Sequence, residues 1–200
     1  MITPEQERQV GEFWTWFQGR ERDLAALDDP ESTLWDEALD RLKKVDEGLW
    51  FEMSEPGVGN RDFILTVEGE PELFEFADFV ASKAPPLNTW KIISLMPPMG
   101  FDFQITCGDV LLDATAMWFF PAGGALPVDL LIGVPGYDEE KDVAVGNGVQ
   151  AVLETGLGER SATGDIGDVE IVALPDAPEK KGFLKLSELP AFIETRRAPA

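Results

Sequence analysis

Three groups of residues in this 200-residue chain are of types that carry out chemistry. The first is acid. Asp138-Glu139-Glu140-Lys141-Asp142 is one run, and Glu72, Glu75 and Asp78 form a stripe just after Glu68 and Glu70. Clustered carboxylates hold divalent cations or meet basic partners. The run at 138 lacks the alternating spacing and central glycine of a calcium loop. Acids in the first turn of a helix are explained by its dipole, so neither a metal site nor a cofactor is expected. The second group is Cys107 and Tyr137, each the sole residue of its type. No base stands beside Cys107 to lower its pKa, so it reads as a small buried hydrophobe rather than a nucleophile. Tyr137 can donate a proton, but the sequence names no partner for it. The third group is glycine pairs. Gly57-Val58-Gly59 precedes a strand and lacks the third glycine of a dinucleotide fingerprint, and Gly156-Leu157-Gly158 follows a helix and reads as its cap and turn.

The chain holds no histidine at all. That removes Ser-His-Asp and Cys-His nucleophiles and the common zinc ligand sets from what these residues alone can build. The residue types lean against an enzyme. Charge points elsewhere: 38 acids face 16 bases, for a net charge of −22. The acids fall 13, 12 and 13 in residues 1–48, 49–137 and 138–200, so they form an acidic skin and not a tail. Such a surface repels phosphate, which argues against nucleic acid and anionic membrane as partners. Met1 to Gln9 is acidic rather than apolar, and the longest uncharged stretch, Ala114 to Val128, is too short for a membrane span. With one cysteine, the reading is a soluble cytoplasmic protein.

Local signals then place these residues. Thr3-Pro4-Glu5-Gln6 is a capping box opening a helix that buries Val10, Phe13, Trp14 and Phe17 and breaks near Gly19. Asp29 as N-cap with Pro30 behind it restarts a helix carrying Leu34, Ala38, Leu42, Val45 and Leu49, with Gly48 as a left-handed terminator. Strands are expected over 49–54 and 63–68, then a helix from Pro71 to about Lys83. Strands over 90–96 and 101–107 flank Pro97-Pro98, and strands over 117–120 and 128–134 flank Gly123-Gly124. A helix over 138–154 is weakened by Gly146 and Gly148, each costing about 1 kcal/mol relative to alanine. A strand over 169–174 and a terminal helix capped by Ser187 complete the order. Short turns between neighbouring strands give an α+β fold, mostly antiparallel, with helices on one face. We expect one domain over 1–200, in which a helical hairpin of residues 1–48 packs on the sheet of 49–200. Paired strands followed by a helix occur twice, at 49–83 and 117–154, which hints at a duplicated half.

Aromatic residues are in surplus, with six Trp and thirteen Phe. Trp16 sits about 100° from the buried stripe of its helix, at the flank. Trp118 and Phe120 share one face of their strand and Phe119 takes the other, so both faces are apolar and need cover.

The chain resembles a group of uncharacterised bacterial proteins through Phe-Trp-x-Trp-Phe at 13–17, Ala-Pro-Pro-Leu-x-x-Trp at 84–90 and Leu-Gly-Glu at 157–159. The resemblance implies a bacterial domain and assigns no activity or site residues.

Two functional readings follow, and a third trails them. The first is a non-enzymatic acidic protein that binds a basic protein partner, as an immunity protein does, through Glu72, Glu75, Asp78 and Trp16. The alternative is a small-molecule-binding domain with a pocket lined by Trp50, Trp90 and Trp118. The last is a carboxylate-dependent metal enzyme, for which the sequence singles out no acid pair. A homo-oligomer is compatible with all of them.

Overall fold

The computed structural model describes residues 2–29, 31–57 and 59–197. Contacts divide the chain into two compact units, Met1–Met96 and Pro97–Ala200. In the first, helix α1 (Pro4–Gly19) opens as its sequence dictates: Thr3 Oγ1 accepts from the Gln6 amide at 3.2 Å, and the Thr3 amide donates back to Gln6 Oε1 at 3.1 Å. The helix breaks at Arg20, and a short helix α2 (Glu21–Ala25) inserts Leu24 into the core. Helix α3 (Thr33–Val45) begins later than its sequence suggests, because Ser32 is the N-cap while Asp29 accepts from the Glu31 amide at 2.9 Å. Pro30 lies outside the described residues. The buried stripe of α3 is Trp35, Ala38, Leu42 and Val45, with Leu34 only half-buried. Gly48 is not left-handed. A Cβ there would meet Leu73 Cδ1, so any larger residue would have to push the end of that side chain aside.

Strands β1 (Trp50–Met53) and β2 (Arg61–Thr66) pair antiparallel. A 3-10 turn, Pro71–Leu73, leads into helix α4 (Phe74–Ser82), and β3 (Trp90–Ser94) returns parallel to β2. A parallel neighbour needs a crossover, and α4 supplies it. The core under this sheet is aromatic: Phe13, Trp14, Phe17, Trp35, Phe63, Phe74, Phe76 and Trp90 are all buried in one cluster with the helices.

The second unit opens with a hairpin of β4 (Gln104–Cys107) and β5 (Val110–Asp113). Strand β5 is too short and too close to Gly108-Asp109 to announce itself, and it takes the pairing expected between the 90–96 and 101–107 segments. Strands β6 (Trp118–Pro121) and β7 (Val128–Val134) pair antiparallel. A 3-10 turn, Glu139–Lys141, then enters helix α5 (Asp142–Leu157), which stops at Gly158 with φ of +77°. Helix α6 (Glu159–Asp165) leads to β8 (Ile166–Ala173), parallel to β7. A two-residue strand β9 (Leu184–Lys185) pairs with β6, giving the sheet order β8-β7-β6-β9. Ser187 lies inside a 3-10 turn ahead of helix α7 (Leu189–Glu194) and does not cap it. The core here is aliphatic, built from residues such as Leu130, Ile132, Val149, Val152 and Leu186 around Phe101 and Phe119.

The fold is α+β, with four antiparallel strand pairs and two parallel ones among the described residues. Each unit contains the same device: an antiparallel strand pair, an acidic 3-10 turn running into a helix, and a third strand parallel to the second. The registers superpose residue for residue along the first pair. Phe51 faces Leu65 and Phe119 faces Ile132, while Trp50 faces Thr66 and Trp118 faces Gly133.

Candidate functional site: two acid-rimmed grooves

Each unit carries a groove at the entrance to its crossover helix. In the first, Ile2, Leu73 and Phe76 give an apolar floor, with Gln6, Asp46, Glu72 and Glu75 around it, enclosing about 350 Å³. Pro71 starts the turn, which places Glu72 and Glu75 outward while Phe74, Phe76 and Ala77 are buried. None of the lining residues is basic. In the second unit a groove of about 530 Å³ is lined by Tyr137, Glu139 and Asp142 on one side and by Glu170 to Ala173 of β8 on the other. Again no base lines it: Lys141, between those acids in sequence, is turned to Asp109 at 2.6 Å. Asp142 accepts from the Tyr137 hydroxyl at 2.6 Å, and that bond to a carboxylate pushes the phenol up to about 12.

Of the four residues read as partner-binding, the structure brings Glu72 and Glu75 together on one groove. Asp78 is exposed on the same helix but accepts from the Ser94 hydroxyl of β3 at 2.6 Å. Trp16 is half-buried against the first core, with the Arg41 guanidinium 4.9 Å from its ring. Of the three tryptophans read as a pocket, Trp50 and Trp90 lie in the first unit and on opposite faces of its sheet. Trp90 is 3% exposed within the aromatic core, and Trp50 lies at the other end of β2 in register. Trp50 is exposed, with the Lys43 ammonium 3.2 Å from its ring centre. Trp118 belongs to the second unit, beside Lys185 at 5.9 Å, and its neighbour Phe120 is covered by Phe183. Cys107 is half-buried on β4. No group of three or more Cys, Asp or Glu among the described residues is arranged to hold a metal ion.

Sequence reasoning missed two polar residues of the first unit. Arg61 is only 6% exposed. Its Nε donates to the Ser54 carbonyl at 2.9 Å, and its Nη1 donates to the carbonyls of Leu27 at 2.8 Å and Leu24 at 3.3 Å. Its guanidinium lies 5.0 Å from the Trp90 ring and 5.7 Å from the Trp35 ring. The planar fork therefore gathers carbonyls at and just after the end of α2, of which Leu24's also accepts from the Leu27 amide at 3.2 Å. Burial pulls the Arg61 guanidinium down from its ordinary value, opposed by Glu55 and Asp28. Glu21 does the complementary task. Its carboxylate accepts from the amides of Asn88 and Thr89 and from the Thr89 hydroxyl, while Trp90 Nε1 donates to the Glu21 carbonyl at 3.1 Å. Desolvation raises its carboxyl, but the Thr89 and Asn88 amides outweigh this and hold it below the usual range. A signal was present in the sequence: an arginine at the head of an apolar strand is out of place unless it is buried and bonded.

No protein-family model, curated protein or solved structure matches the chain. Among the described residues, no helix is long and apolar enough to cross a membrane. The aromatic cluster of Phe13, Trp14, Trp16 and Phe17 is present and packs together, with Phe13 and Trp14 ring centres 4.8 Å apart.

Proposed function

We propose that the chain is a non-enzymatic acidic interaction protein that binds a basic protein partner, and that the groove of Glu72 and Glu75 receives it. The observation that carries this reading is the groove's composition: an apolar floor of Ile2, Leu73 and Phe76 rimmed by Asp46, Glu72 and Glu75, with no base in its lining. Such a surface suits a lysine or arginine, whose aliphatic stem covers the floor while its head meets the carboxylates. The net charge of −22 steers a basic partner from a distance. An immunity-type protein working in the cytoplasm fits these features, and the resemblance to uncharacterised bacterial proteins is compatible with it. The experiment is capture of partners from source-cell lysate by the wild-type chain and by Glu72→Lys/Glu75→Lys. A stoichiometric basic protein is expected, released by salt and held at least 10-fold more weakly by the variant. Equal retention by both chains contradicts the site.

A further inference from the structure

We infer that strand β8 is a docking edge for a basic, extended segment of a partner protein, which adds to the second unit's sheet as a fifth strand. The sheet order β8-β7-β6-β9 leaves β8 with a neighbour on one side only. It is the longest strand among the described residues, and Gly167, Asp168, Val169 and Glu170 are exposed in succession. Its backbone parity is fixed by two contacts. The Leu174 amide donates to the Val134 carbonyl at 3.0 Å, and the Asp168 amide donates to the Asp129 carboxylate at 2.9 Å. Even-numbered residues thus turn their amides toward β7. Successive residues alternate along a strand, so Val169, Ile171 and Ala173 present N–H and C=O groups along the free edge. An open edge of this kind is a template for an added strand.

The side chains say which strand. Asp168 and Glu170, followed by Val172, fall on one face of β8, and Val169, Ile171 and Ala173 fall on the other. At its carboxyl end the edge runs into the second groove, where Glu139 and Asp142 add two more carboxylates. A second copy of this chain laid on the edge would set acid against acid, which destabilises a pair. A strand of alternating lysine and valine sets ammonium against carboxylate on one face and apolar against apolar on the other. The first unit offers no equal edge, since β3 has five residues and Trp90, at its start, is buried. This docking edge does not depend on the groove of Glu72 and Glu75.

The test uses the full chain and the peptide acetyl-Lys-Val-Lys-Val-Lys-Val-Lys-amide, with residue-resolved amide hydrogen exchange. We expect exchange at Val169, Ile171 and Ala173 to slow about 10-fold at saturating peptide, and the same peptide N-methylated at alternate residues to give no slowing. Val169→Pro removes an outward amide that bonds to nothing within the sheet, a place where strands tolerate proline, and should abolish the effect. Glu170→Lys, which leaves the backbone untouched, should weaken peptide binding at least 5-fold. Glu72→Lys/Glu75→Lys should keep the protection intact. Absence of protection, equal protection by the N-methylated peptide, or loss of protection in the Glu72/Glu75 variant would each overturn the assignment.

Discussion

The two units build the same strand-strand-helix-strand device from different materials. In the first, the strand pair closes over an aromatic core and a buried guanidinium. In the second, the position two residues before Leu130, which matches Arg61 before Phe63, is Val128, fully buried among aliphatic neighbours. Aromatic side chains bury more area each and meet edge to face, as Phe17 does with Phe63 at 4.9 Å and 69°. Beside these rings, Arg61 bonds carbonyls after α2 and Glu21 bonds the amides of Asn88 and Thr89 just ahead of β3. In the second unit glycines make room for large side chains instead. Gly156 abuts Phe101, and Gly133 lies under Leu174 and Phe183. One topology thus tolerates two ways of paying for order. The first unit fixes its third strand at both ends and keeps it short, whereas the second leaves its third strand long and open.

The largest effect should come from Arg61. Replacing it with methionine keeps the volume but takes the guanidinium's bonds from the carbonyls of Leu27 and Ser54 and leaves Leu24's with the Leu27 amide alone, costing about 3–5 kcal/mol in chemical denaturation. Lysine cannot reproduce the fork and should recover less than half of that. A change below 1 kcal/mol would show that the first unit does not depend on this hub. In the second unit, Gly156→Ala puts a methyl 2.1 Å from the Phe101 ring and should cost about 1–3 kcal/mol. Gly146→Ala on the same helix meets nothing within 4 Å and should stabilise by about 0.5–1 kcal/mol. Opposite signs from two glycines of one helix would sharpen the contrast between packing and propensity.

Glu21 gives a smaller and pH-dependent effect. Its folded carboxyl sits below its unfolded value, so its contribution is present above the unfolded pKa, near 4.5, and is lost as pH falls through the folded one. Glu21→Gln should cost about 1–2 kcal/mol at pH 7, and the difference from wild type should shrink as the solution is acidified below pH 4. A difference independent of pH would assign the effect to shape and not to charge. The smallest effect is spectroscopic. Tyr137 is the only tyrosine, so ultraviolet difference titration reads it alone, with a midpoint expected near 12. Because that value is raised, the Tyr137 contact favours the fold below the unfolded pKa of about 10 and loses its contribution as pH rises through 12. Asp142→Asn should return the midpoint toward about 10.

Much of this was legible in the residues themselves. The capping box at Thr3, the break at Gly19 and the acidic face of α4 are local signals, and local signals survive folding, whereas Gly156 and Leu157, read as a turn, lie inside α5 and only Gly158 caps it. The doubled strand-pair-and-helix pattern was visible as a hint. What the sequence hid was pairing. Strand β3 turned to β2 and left the following segment to pair with β5, because partners in a sheet are chosen by tertiary packing. The start of α3 slipped because Asp29 and Ser32 are both good caps: Asp29 takes the Glu31 amide, and Ser32 caps the helix. For the candidate site, Glu72 and Glu75 were readable as an outward stripe. The apolar floor beneath them was not, since Ile2 and Phe76 lie 74 positions apart in the chain.

The most direct test of the central claim is a hydrogen-exchange footprint of the full chain with the basic partner captured from lysate, at low and high salt. The account predicts slowed exchange around residues 2–6 and 72–76 that fades as salt rises, with any strand addition reported separately at 169–173. Protection confined to other surfaces, or protection at 72–76 that salt leaves unchanged, would contradict it.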